Sequence, residues 1–108
     1  MSMFLDCNTD ELLAQIGTVN VAAISGGRVV RRPTGVTLPV DCGYSVTVDR
    51  HASDTYVVRR LYSRGGKTWV KGEQTYVYCD EVGDAAYRAH AFRSYAFGDG
   101  AVRELEGQ

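Results

Sequence analysis

The side chains best suited to chemistry in this chain alternate about a pair of glycines. In residues 54–74 (DTYVVRRLYSRGGKTWVKGEQ), two β-rich runs flank Gly65 and Gly66, which accept the positive φ angles of a tight hairpin turn. A turn centred there sets Arg64 opposite Lys67, Tyr62 opposite Trp69, Arg60 opposite Lys71 and Val58 opposite Glu73, all on one face. The other face carries Val57, Leu61 and Val70 among Arg59, Ser63 and Thr68. Opposed like charges cost about 0.2–1 kcal/mol a pair, so two such pairs around Tyr62 and Trp69 point to a use. Cations beside aromatic rings suit the phosphates and stacked bases of single-stranded nucleic acid. They also suit an acidic, aromatic-rich protein surface, where Trp, Tyr and Arg dominate binding energy. A third reading places the last helix over this face. Tyr62 and Trp69 are then core, the basic stems reach outward, and Glu81 and Asp84 neutralise them.

Other candidate chemistries are thinner. His51 stands between Asp49 and Asp54 and can act as an acid or base near neutral pH, although a polar RHASD loop also describes a solvated histidine. Cys79 precedes a helical stretch, where a thiolate is favoured, but Asp80 and Glu81 oppose that charge. His90 reads as a helix-surface residue. Cys7, Cys42 and Cys79 are odd in number and have no CxxC spacing, which argues against a disulfide scaffold and a zinc ribbon. A site joining them to His51 or His90 lacks ligand spacing, so no metal and no cofactor are expected. Gly26, Gly27 and Arg28 lack the GK[ST] ending of a phosphate loop, and HExxH, GxSxG and GxGxxG do not occur. The chain is not expected to be an enzyme.

The elements that must position these groups follow from periodicity and turn signals. Asn8 or Thr9 caps a short helix with Glu11 completing a capping box; Leu12, Leu13 and Ile16 form its apolar stripe, and Gly17 its stop. Residues 19–25 (VNVAAIS) read as a strand, joined across Gly26 and Gly27 to a second strand over 28–32. Val36, Leu38 and Val40 alternate with Thr37 and Pro39. Tyr44, Val46 and Val48 alternate with Ser45, Thr47 and Asp49 more strongly still. A closing helix is expected near residues 80–95. Acids lie at its start and Arg88, His90 and Arg93 towards its end, and Val82, Ala85, Ala86, Ala89 and Phe92 share one flank. Short loops throughout predict an antiparallel meander.

A length of 108 residues fits one domain, and the hydrophobic fraction of 44% is ordinary for a globular chain. No apolar run approaches a membrane span and the N-terminus lacks a signal pattern, so no membrane association and a cytoplasmic location are expected. The net charge of −1 conceals a segregation: residues 28–71 hold nine cations against three acids, between two acidic ends. That asymmetry fits an anionic partner, or acidic ends packed over a basic sheet.

LLAQIG after a capped start, AISGGRV, DTYVVRR and VYCDEVGDAAYRA resemble a group of small uncharacterised proteins of actinobacterial phages and related mobile elements, over about residues 9–95. The resemblance implies a compact accessory protein that binds a host or phage macromolecule, and it transfers no functional residues.

The expected architecture is α+β. An antiparallel meander sheet of five or six strands carries one N-terminal and one C-terminal helix, in a single domain over 1–97 with a polar, flexible tail over 98–108. The expected function is a non-catalytic module that binds a protein partner through Arg60, Tyr62, Arg64, Lys67, Trp69 and Lys71. Nucleic acid bound by the same face is the alternative. A homodimer through an exposed sheet edge is a further option.

Overall fold

A computed structural model of the chain describes residues 4–52, 54–91 and 103–104. The first helix, α1 (Thr9–Ile16), starts as its capping signal implies, with the Asn8 side chain accepting from the Glu11 amide at 3.2 Å. Gly17, at φ 95°, ends it.

The next segment corrects an expectation. Residues 19–25 are not a strand but lie in a second helix, α2 (Thr18–Ser25), and no hairpin forms at Gly26 and Gly27. Gly26 instead takes the left-handed conformation at φ 65° and its amide bonds the Ala22 carbonyl, closing the helix. An apolar run bracketed by glycines packs in either conformation. Here Val21 and Ile24, three apart, reach the core together.

Five strands follow in one antiparallel meander: β1 (Val30–Arg32), β2 (Gly35–Pro39), β3 (Tyr44–Arg50), β4 (Tyr56–Arg64) and β5 (Lys67–Val77). The third helix, α3 (Val82–Ala91), lies within the stretch expected to be helical; residues 92–95 are outside the described residues. A two-residue strand, β6 (Arg103–Glu104), then pairs with β5. The rest of 98–108 is likewise outside the described residues. The class is α+β with an antiparallel meander, as expected, and among the described residues the helices number three rather than two.

The helices lie on one face of the sheet, α1 and α2 over β2 and α3 over β3, β4 and β5. Two rows of that face run across the strands. Val36, Val48 and Val58 are paired in sequence across β2, β3 and β4, and Leu38, Val46 and Arg60 form the next row. All six are buried, against Leu12, Ile16, Ile24, Val82, Ala86 and Ala89 from the helices. Two glycines are needed for this packing. A β-carbon on Gly83 would fall 2.5 Å from the Ile16 carbonyl oxygen, where α3 crosses the junction of α1 and α2. One on Gly35 would fall 1.8 Å from the Val48 carbonyl oxygen on β3.

Candidate functional site

The hairpin of β4 and β5 turns at Gly65 and Gly66, with φ 61° and 81°, and pairs Arg64 with Lys67 and Tyr62 with Trp69. Below Leu61 and Val70 the register shifts. Arg60 faces Gly72 rather than Lys71, Arg59 faces Glu73, and Val58 faces Gln74. Lys71 is the extra residue of a β-bulge. The expected oppositions of Arg60 with Lys71 and Val58 with Glu73 therefore do not occur, and Arg59 forms an ion pair with Glu73 instead.

Arg60 also leaves the proposed contact set. It is 1% exposed, and its Nη1 donates to the Ala89 and His90 carbonyls at 2.6 and 3.0 Å. Those carbonyls belong to the last turn of α3 as described, where a cation complements the helix dipole. The guanidinium also lies 4.3 Å from the centroid of the Tyr44 ring. The residue opposite Arg60 is Gly72, which has no side chain. A glycine inside a β-rich run was the available sign of the bulge.

One row further along β4, towards the turn, the face changes character. Tyr44, Tyr62 and Trp69 are neighbours across β3, β4 and β5. The ring centroids of Tyr44 and Tyr62 are 4.8 Å apart, and those of Tyr62 and Trp69 are 5.9 Å apart and near parallel. Lys71 Nζ lies 5.8 Å from the Tyr62 centroid. All four side chains are half-buried. Tyr44 was not among the expected contacts. Its place depends on the β3–β4 register, which the loop between those strands does not reveal.

The structure also shows where the basic middle of the chain places its charge. Arg31 pairs with Asp10 of α1, Arg32 with Asp49 at 2.7 Å, and Arg50 with Asp54 at 3.2 Å. Arg28 bonds the Ser25 and Pro39 carbonyls. Among the described residues no ion pair joins Glu81 or Asp84 to the hairpin: Asp84 pairs with Arg88 on its own helix, and Glu81 is exposed. Arg64 and Lys67, both exposed, and Lys71 form the cationic surround of the aromatic row.

The remaining candidates lie apart. Asp49 and Asp54, which flank His51 in sequence, are engaged by Arg32 and Arg50, and the His51 ring packs edgewise on Phe4 and Tyr76. Cys79 is exposed and lines an open cleft of about 530 Å³ with Asn8, Glu11, Gln15, Arg50 and Tyr56. There the Tyr56 hydroxyl donates to Gln15 Oε1 at 2.9 Å, and burial raises the Tyr56 phenol above its ordinary value. Burial likewise raises the Cys7 thiol, with Arg50 opposing the effect. This cleft mixes both charge signs, and its aromatic lining is Tyr56 and Tyr78. A smaller one, about 390 Å³, opens beside Tyr44, Arg60 and His90. Among the described residues no three His, Cys, Asp or Glu side chains are grouped to hold a metal, and no helix is long and apolar enough to cross a membrane.

No family model, no curated protein and no solved structure matches the chain.

Proposed function

We propose that the chain is a small non-catalytic accessory protein of phage type that docks a protein partner of acidic character. Its contact is the row of Tyr44, Tyr62 and Trp69 with Arg64, Lys67 and Lys71 around it. The observation that carries this reading is how the ring faces are used. Arg60 lies over Tyr44, Lys71 lies over Tyr62, and the rings lie against one another. The faces of Tyr44 and Tyr62 that a base would need are shared with these cations and neighbouring rings, and half-buried aromatic side chains beside cations are what a protein hot spot presents. The cations at the turn are the feature that favours the alternative, nucleic acid held through its phosphates.

Affinity capture from an actinobacterial host lysate, with and without nuclease, separates the two. The expected result is a protein retained after nuclease treatment and lost with a folded Trp69→Ala chain. If the captured material disappears with nuclease, the nucleic-acid reading replaces this one. If Trp69→Ala unfolds the chain, Trp69 belongs to the core and the face is wrongly assigned.

A further inference from the structure

The outer edge of β5 is shaped for pairing over a short window. Going from the turn, β5 is regular through Val70 and then carries two irregularities. Lys71 is extra between Val70 and Gly72, and Thr75 with Tyr76 are set against Val57 alone. Tyr76 sits at φ 55°, a conformation uncommon for a bulky residue. Both irregularities add residues to β5 itself, and such bulges bend an edge away from further pairing. The straight part that remains is residues 67–70, the part that carries Trp69. There β6 pairs, with Glu104 opposite Trp69 and Arg103 opposite Val70.

We infer that residues 67–70 form a strand-addition slot for an acidic extended segment, filled in cis by β6 and available in trans to a segment of the same kind. This rests on the proposed docking role of the Trp69 face and names the chemistry of the partner. Strand addition draws affinity from main-chain hydrogen bonds and specificity from alternate side chains. The slot lies among Arg64, Lys67 and Lys71, so carboxylates are the complement. The cis segment supplies them in its sequence, with Asp99, Glu104 and Glu106 against Arg103 in the last ten residues. Two paired residues hold β6 weakly, since each hydrogen bond contributes only about 0.5–1.5 kcal/mol net. Its advantage is attachment, which gives a tethered segment an effective concentration on the order of millimolar. An incoming segment competes against that figure.

The test uses the full chain and a labelled peptide of residues 98–108 (GDGAVRELEGQ), followed by fluorescence anisotropy and by the emission of Trp69, the single tryptophan. A chain carrying Arg103→Pro and Glu104→Pro loses whichever of these two adjacent amides faces β5, while β5 keeps its pairing with β4. Its Trp69 emission is expected to differ from that of the unaltered chain. It is expected to bind the peptide about tenfold more tightly, as follows if the slot stands open about a tenth of the time in the unaltered chain. A peptide with Asp99, Glu104 and Glu106 changed to Lys is expected not to bind. Equal binding and equal emission for the two proteins, or binding by neither, overturns the inference. If the double-proline chain does not fold, Glu104→Lys replaces it, with the same expectation and the same overturning result. A Trp69-dependent partner captured by a chain that ignores the peptide would overturn the slot and leave the docking role standing.

Discussion

Arg60 reaches from β4 to the end of α3 and donates to the Ala89 carbonyl oxygen at 2.6 Å. That bond divides the hairpin face in two. Arg60 and Val58 lie under α3 and belong to the core, whereas Tyr62 and Trp69, one row on, are half-buried. A cation that the hairpin pattern assigns to binding serves instead to hold a helix end.

Replacing Arg60 should therefore change stability first. Arg60→Ala removes two hydrogen bonds from a charged donor, leaves the Ala89 and His90 carbonyls short of a donor, and opens a void. The expected cost is about 3 kcal/mol. Urea unfolding followed by circular dichroism measures it. A cost under about 0.5 kcal/mol would show that the guanidinium does not hold α3.

At Gly83 two effects oppose. Alanine is the better helix former by about 1 kcal/mol. Its β-carbon, however, would meet the Ile16 carbonyl oxygen at 2.5 Å and Asn20 Nδ2 at 2.8 Å. Main chain cannot turn aside as a side chain can, and overpacking costs about 1–3 kcal/mol. The clash should win, so Gly83→Ala is expected to lower the thermal midpoint. A raised midpoint would mean that α3 shifts on α1 and α2 with little loss.

Reversing charge beside the aromatic row should act on binding. With a captured partner in hand, Lys71→Glu is expected to weaken the complex about tenfold, chiefly by slowing association, and to reduce its sensitivity to salt. Surface plasmon resonance at two ionic strengths reads both rates. An unchanged association rate would remove Lys71 from the contact.

Alkaline pH should loosen the fold at the N-terminal side. Burial holds the Cys7 thiol above its ordinary 9.0 and the Tyr56 phenol above its ordinary 10.0. Both groups bind their protons more tightly folded than unfolded. Their contribution is therefore full below about pH 9 and is lost as pH rises through the folded values. Denaturant midpoints taken from about pH 8 to 10.5 should fall, and Cys7→Ala should flatten the first part of that decline. A midpoint that does not fall over that range contradicts the prediction.

Much of this fold is legible from local signals. The Asn8 cap, the Gly17 stop, the alternation of β3 and the Gly65 turn are each set by a few neighbouring residues, and each element forms where its signal lies. What escapes is decided at a distance. Residues 19–25 favour a strand by composition, yet they pack as α2 because α3 and β2 supply a surface for Val21 and Ile24. Lys71 bulges where the neighbouring Gly72 meets an arginine drawn under α3, a contact no local pattern encodes. The aromatic pair at the turn is readable from alternation. The third ring, Tyr44, is not, because its place beside Tyr62 is fixed by the register of β3 against β4.

The meander also bears on the order of assembly. Each pairing from β1 to β5 joins strands that are adjacent in the chain, so little loop closure separates one hairpin from the next. The seat of α3 on α1 and α2 is different, because it brings Gly83 against Ile16 across the whole meander. That contact is expected to form late, and Arg60 stays hydrated until it does. Completion of the fold and removal of one cation from the hairpin face are then a single event. A chain still being synthesised would show a more basic, less selective surface than the finished protein.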